Sequence, residues 1–125
     1  MKIMLVDDSR TIRNIQKKVL AKLGYEDIVE AADGVEALAA YEESPPDLIL
    51  VDWNMPNMNG ITLVKTIRRT DKSTPLLMCI DQAEKYRVVE ALEAGVNNYM
   101  VKPFTAETLS AKIDQTLSEL PITAP

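Results

Sequence analysis

Asp47-Leu48-Ile49-Leu50-Val51-Asp52-Trp53-Asn54-Met55-Pro56 is the stretch whose reading decides the fold. A short, nearly continuous apolar run of this kind predicts a strand covered on both faces, here closed by an acid. Ile3-Met4-Leu5-Val6 and Leu76-Leu77-Met78-Cys79-Ile80 repeat the pattern, while Ile28-Val29 and Tyr99-Met100-Val101 are weaker strand candidates.

Between these runs the apolar period becomes helical. Ile12, Ile15, Val19 and Leu23 fall on one stripe, as do Leu109, Ile113, Leu117 and Leu120. Three further helices are expected near 34–43, 60–70 and 83–94, starting or ending close to Gly34, Gly60 and Gly95. Strand and helix therefore alternate, and parallel neighbours need crossovers, so the expectation is an α/β fold: a five-stranded parallel sheet with five helices on both faces. We expect one domain over 1–121 and a C-terminal tail over 122–125, which carries no period.

Composition narrows the function. A chain of 125 residues with 46% apolar content can bury one sizeable core without metal or disulfide staples. The lone Cys79 sits among apolar neighbours and predicts a buried thiol in a reducing compartment. No apolar run approaches a membrane span and no secretion signal is evident, so a cytoplasmic protein is expected. A net charge of −5 with scattered basic residues argues against nucleic-acid binding.

In open α/β sheets, ligands bind beyond the carboxyl ends of the strands. Asp7-Asp8 follow the first strand, Asp52 closes the third, Ile80-Asp81 the fourth and Lys102-Pro103 the fifth. If the first and third strands are neighbours, three carboxylates converge, a cluster that persists only with a cation or a protonated member. With no His and one Cys, the oxygen set favours Mg²⁺ over zinc. A carboxylate beside a divalent cation and an ammonium is equipped to take a phosphoryl group. Any one of these acids alone would more simply be a turn residue or helix cap.

Asp7-Asp8-Ser9-Arg10, Asp52-Trp53-Asn54-Met55-Pro56 with Gly60 beyond, and Tyr99 before Val101-Lys102-Pro103-Phe104 together resemble the response-regulator receiver domain, over about residues 2–120. The resemblance implies a flavodoxin-like three-layer sandwich with strand order 2-1-3-4-5. It implies that Asp52 is the phosphoacceptor, that Asp8, Asp52 and the Asn54 backbone carbonyl ligate Mg²⁺ with Asp7 helping through water, and that Lys102 contacts the phosphoryl oxygens. It also implies a cis Lys102-Pro103 bond, hydrolysis-tuning roles for Asn54 and Gln82, and a switch role for Tyr99. The implied partners are a histidine kinase and a downstream protein target, in a chemotaxis-type system the flagellar motor switch, with the protein itself monomeric. Its catalysis would be confined to its own phosphorylation and dephosphorylation.

Two positions depart from the family. Ile80 stands where a Thr or Ser hydroxyl is usual, removing a hydrogen bond to a charged acceptor worth about 1.5–3 kcal/mol. Asp81 replaces a small residue; it either repels the phosphoryl group or caps the helix expected to start near Ala83. Without the hydroxyl, Tyr99 is either a switch or a half-buried edge-strand aromatic. Two functions follow: a phosphorylation-driven regulator, or an atypical receiver that binds Mg²⁺ and partners with impaired switching. A haloacid-dehalogenase-type phosphatase shares the Asp nucleophile but needs a second catalytic Asp two places on, where this chain does not supply one.

Overall fold

A computed structural model of the chain describes residues 1–119, with side chains to Ser118. Leu120 of the last apolar stripe and the expected 122–125 tail lie outside the described residues. Five strands, β1 (Lys2–Val6), β2 (Asp27–Ala31), β3 (Leu48–Asp52), β4 (Leu76–Asp81) and β5 (Asn98–Lys102), pair in parallel in the order β2-β1-β3-β4-β5. This is the expected flavodoxin-like order, in which β1 and β3 are adjacent.

The helices are α1 (Arg10–Lys22), α2 (Gly34–Glu43), α3 (Gly60–Arg68), α4 (Val88–Ala94) and α5 (Ala106–Glu119). Alternate strand residues feed two cores because successive side chains point to opposite faces. Met4, Val6, Ile49, Val51, Met78 and Ile80 join Leu63, Val64 and Ile67 of α3 on one side. Ile3, Leu5, Leu48, Leu50, Leu77 and Cys79 join Val19 and Leu20 of α1 and Leu109 and Ile113 of α5 on the other. Every residue of β3 is buried, which explains its unbroken apolar sequence.

Two helical expectations need correction. The helix expected over 83–94 is a 3₁₀ turn, Gln82–Arg87, followed by α4 across a kink at Glu84. None of residues 82–87 is buried, so no apolar stripe holds them in one continuous helix; the Glu84 carboxylate instead accepts from Asn54 Nδ2 at 2.6 Å, tying the turn to the loop after β3. In α1 the buried face is Gln16, Val19 and Leu20, while Ile15 is 45% exposed. The stripe that meets the sheet lies one position further round than the Ile12-Ile15 spacing suggests.

Gly60 has a specific steric cause. A Cβ there would lie 2.2 Å from the Asp52 carbonyl oxygen, and its amide donates to the Trp53 carbonyl at 2.9 Å. Only glycine lets the start of α3 rest on the backbone that carries Asp52.

Candidate metal and phosphoryl site

Asp7, Asp8 and Asp52 meet because β1 and β3 are neighbours in register, Val6 against Val51. Each offers a carboxylate oxygen, and these oxygens lie within 4.8 Å of one another. Asp7 and Asp52 are buried, whereas Asp8 is exposed. Lys102, at the end of β5, places its Nζ 2.7 Å from Asp52 Oδ1 and 3.6 Å from Asp7 Oδ2. The Lys102-Pro103 peptide is cis, as expected.

The loop bearing Asp7 and Asp8 is held on several sides. The Asp7 amide donates to the Ala31 carbonyl at 3.1 Å, tying the end of β1 to β2. The Ser9 amide donates to Asp7 Oδ1 at 2.8 Å, and the Ser9 hydroxyl caps α1 by accepting from the Ile12 amide. Arg13, which sequence reasoning missed, donates from Nη1 to the Asp7 carbonyl and from Nε to Glu30 Oε1 at 2.9 Å. One signal was available: α1 has no acid in its first turn yet carries Arg10 and then Arg13 at its N-terminal end, against the helix dipole.

The electrostatics favour a divalent cation. Burial pushes the Asp52 carboxyl up to about 6 despite Lys102, with the charges of Asp7 and Asp81 adding to the rise. Burial likewise raises Asp7 above the usual carboxylate range. For Lys102, burial works to remove the proton, but Asp52 and Asp7 outweigh it and raise the ammonium. Asp7 Oδ2 is buried with no hydrogen-bond partner. A buried, unpartnered carboxylate oxygen beside two more carboxylates fits Mg²⁺, which takes hard oxygen ligands and keeps several waters. The ammonium supplies the fixed positive charge on the other flank.

The remaining expected residues are placed differently. Asp81 does not cap the following turn, because its side chain bonds to none of the turn's amides. Its Oδ2 instead accepts from Asn54 Nδ2 at 3.1 Å, and the same amide donates to Glu84 Oε1 at 2.6 Å. Glu84 pairs with Arg87 at 3.1 Å, and the Arg87 guanidinium lies 5.0 Å from the centre of the Trp53 ring. Glu84 and Arg87 were not anticipated, since residues 84 and 87 carry no motif. Gln82 is exposed at the start of the turn.

Ile80 is fully buried, and Tyr99, half-buried, packs against the same apolar cluster. Lys112 Nζ lies 5.0 Å from the Tyr99 ring centre. Cys79 is buried as expected, and burial pushes its thiol up to about 12.

A doubly wound sheet with an acidic cluster and a lysine at its carboxyl end defines a class. The response regulator receiver domain model matches residues 3–114, and the chain belongs to that family. Within it, the chain is similar to chemotaxis proteins called CheY. It is 47% identical over 120 residues to CheY1 of Helicobacter pylori, covering 94% of this chain and 97% of that one. It is 45% identical over 122 residues to CheY-3 of Vibrio cholerae, covering 96% and 94%. The crystallised CheY4 of Vibrio cholerae superposes with a TM-score of 0.85 at 38% identity, covering 92% of this chain and 97% of that one. Among the described residues, no helix is long and apolar enough to cross a membrane.

Proposed function

We propose that this receiver is a chemotaxis-type response regulator that accepts a phosphoryl group on Asp52 from a histidine kinase and signals by altered protein binding. The observation that carries the reading is the placement of Asp52 2.7 Å from Lys102 and in one carboxylate cluster with Asp7 and Asp8. Asp7, Asp8, Asp52 and the Asn54 backbone carbonyl would hold Mg²⁺. When bound, that ion offsets charge on the transferring phosphoryl oxygens.

The protein's own groups do the rest. Asp52 Oδ attacks phosphorus and the donor's bond to phosphorus breaks. Lys102 holds the carboxylate in place and then stabilises the equatorial oxygens. The protein's catalysis is limited to forming and hydrolysing its own aspartyl phosphate. Likeness to the CheY proteins supports a downstream protein target such as the flagellar motor switch, with the regulator acting as a cytoplasmic monomer and without nucleic acid.

The test adds acetyl phosphate or beryllofluoride with Mg²⁺ and follows Trp53 fluorescence beside intact mass. The expected result is a gain of one phosphoryl group, lost in Asp52→Asn. Metal quenching with no adduct from any donor would overturn it.

One observation favours a second reading. Ile80 is fully buried and offers no donor to a phosphoryl oxygen, which points to a receiver whose phosphorylation couples poorly to its binding surface and to Tyr99. Under this reading Ile80→Thr makes partner affinity phosphate-dependent where the parent's is not. Unchanged coupling in Ile80→Thr would remove it.

A further inference from the structure

The end of β4 carries acids that the phosphoryl chemistry above does not use. Asp81 stands opposite Lys102 in the β4–β5 register, and its charge reaches Asp52. It also walls a cleft of about 500 Å³ together with Lys102, Pro103, Phe104, Ile12 and Ile15. Asn54, two residues beyond Asp52, directs its side-chain amide to Asp81 and Glu84. That amide is therefore occupied by carboxylates instead of being offered to an incoming anion. Glu84 is neutralised by Arg87 at 3.1 Å, whereas Asp81 has no cation within ion-pair distance among the described residues. The net result is one fixed, uncompensated negative charge at the mouth of the site.

Resting on the reading of Asp52 as phosphoacceptor, we propose that Asp81, held by Asn54, selects the phosphodonor by charge, favouring phosphoramidates over acyl phosphates. In both reactions Asp52 Oδ forms the new bond to phosphorus. With an acyl phosphate the P–O bond breaks and the electron pair leaves on a carboxylate, so a dianion must approach Asp81 and an anion must depart past it. With a phosphoramidate the P–N bond breaks at a nitrogen that already carries its proton, and a neutral amine leaves. The donor's nitrogen is then positive on approach and attracted by Asp81. Phosphohistidine with a protonated ring belongs to the same class. The charge thus tunes the receiver toward a protein donor and away from metabolic acyl phosphates.

The experiment measures phosphorylation rates of the full chain at saturating Mg²⁺ with acetyl phosphate and with phosphoramidate, read by intact mass, for the parent and Asp81→Asn. Asp81→Asn is expected to raise the acetyl phosphate rate about 5-fold more than the phosphoramidate rate. Added salt should narrow the difference in the parent and leave the variant nearly flat. Glu84→Gln, whose charge is already compensated, should move the ratio less. Equal acceleration with both donors, or an unchanged ratio, overturns the inference and leaves the phosphoacceptor reading intact. Phosphorylation by neither donor in either protein overturns both.

Discussion

Two aspartates drawn out of water at opposite ends of the sheet have opposite fates. Asp52, at the carboxyl end of β3, is paired with Lys102 in a cluster of like charges, and its carboxyl is pushed up to about 6. Asp71, in the loop between α3 and β4, accepts from Tyr41 Oη and Thr74 Oγ1 at 2.5 Å each, from the Ser73 and Thr74 amides at 2.9 and 3.0 Å, and from the Ser73 hydroxyl at 3.2 Å. Burial opposes its charge as well, but these donors outweigh it and hold the carboxyl well below the usual range. Tyr41 answers in kind, since burial and the bond to Asp71 push its hydroxyl up to about 12. Arg68 completes the loop by donating to the carbonyls of Asp71, Thr74 and Gly95. A saturated carboxylate is a structural clasp; an under-satisfied one is available for chemistry.

The sharpest way to break this comparison is to remove each carboxylate in turn. Asp71→Ala leaves the Tyr41 hydroxyl and several loop donors without their acceptor, and should cost about 2–4 kcal/mol in denaturant unfolding. A loss below half of that range would mean water replaces the clasp easily. Function at the far end of the sheet should survive in whatever fraction remains folded.

Asp52→Asn should do the reverse. In metal-free buffer at neutral pH it removes a buried charge held against its preference, while Asp7 stays 3.6 Å from the Lys102 ammonium. We expect a gain on the order of 2 kcal/mol. The pH dependence fixes the sign. A carboxyl raised in the folded protein contributes stability that is complete below its ordinary value of 3.8 and is lost as pH rises through about 6. The advantage of Asp52→Asn should therefore vanish near pH 4 and develop across pH 4–6. Asp71 has its window on the other side: its contribution is present above 3.8 and is lost only as pH falls through its depressed folded value. Matching unfolding curves for Asp52→Asn and the parent at pH 7 would show that Lys102 already compensates the site.

What the sequence made legible follows from how local each signal is. The unbroken run Leu48–Val51 announces a strand buried on both faces, because it is too short for a buried helix and carries β-branched Ile49 and Val51. Asp7, Asp8, Asp52 and Lys102 were readable for a related reason, since strand ends in such sheets converge on one edge. Features that depend on partners far along the chain were not readable. Tyr41 and Asp71 are 30 residues apart, Arg13 and Glu30 are 17, and no local period links either pair. The misplaced helix start at 83 has the same origin: Asp81 and Glu84 answer to Asn54 on another loop and not to their own helix.

The smallest expected effect concerns how the under-satisfied end is kept in shape. Glu30 on β2 is held ionised, first by Lys17 at 3.0 Å and then by Arg13 at 2.9 Å, and so anchors the arginine that grips the Asp7 carbonyl. Arg13 never touches the carboxylate oxygens, so its contribution to a cation is to fix the loop that presents them, a kind of support worth roughly tenfold in metal affinity, about 1.4 kcal/mol. Arg13→Ala should weaken Mg²⁺ binding by about that factor in a Trp53 fluorescence titration, with Arg13→Lys recovering part of it. If Arg13→Ala instead lowers stability while the Mg²⁺ titration is unmoved, the Ser9 and Ala31 contacts alone set the Asp7 loop, and the arginine belongs with the clasps.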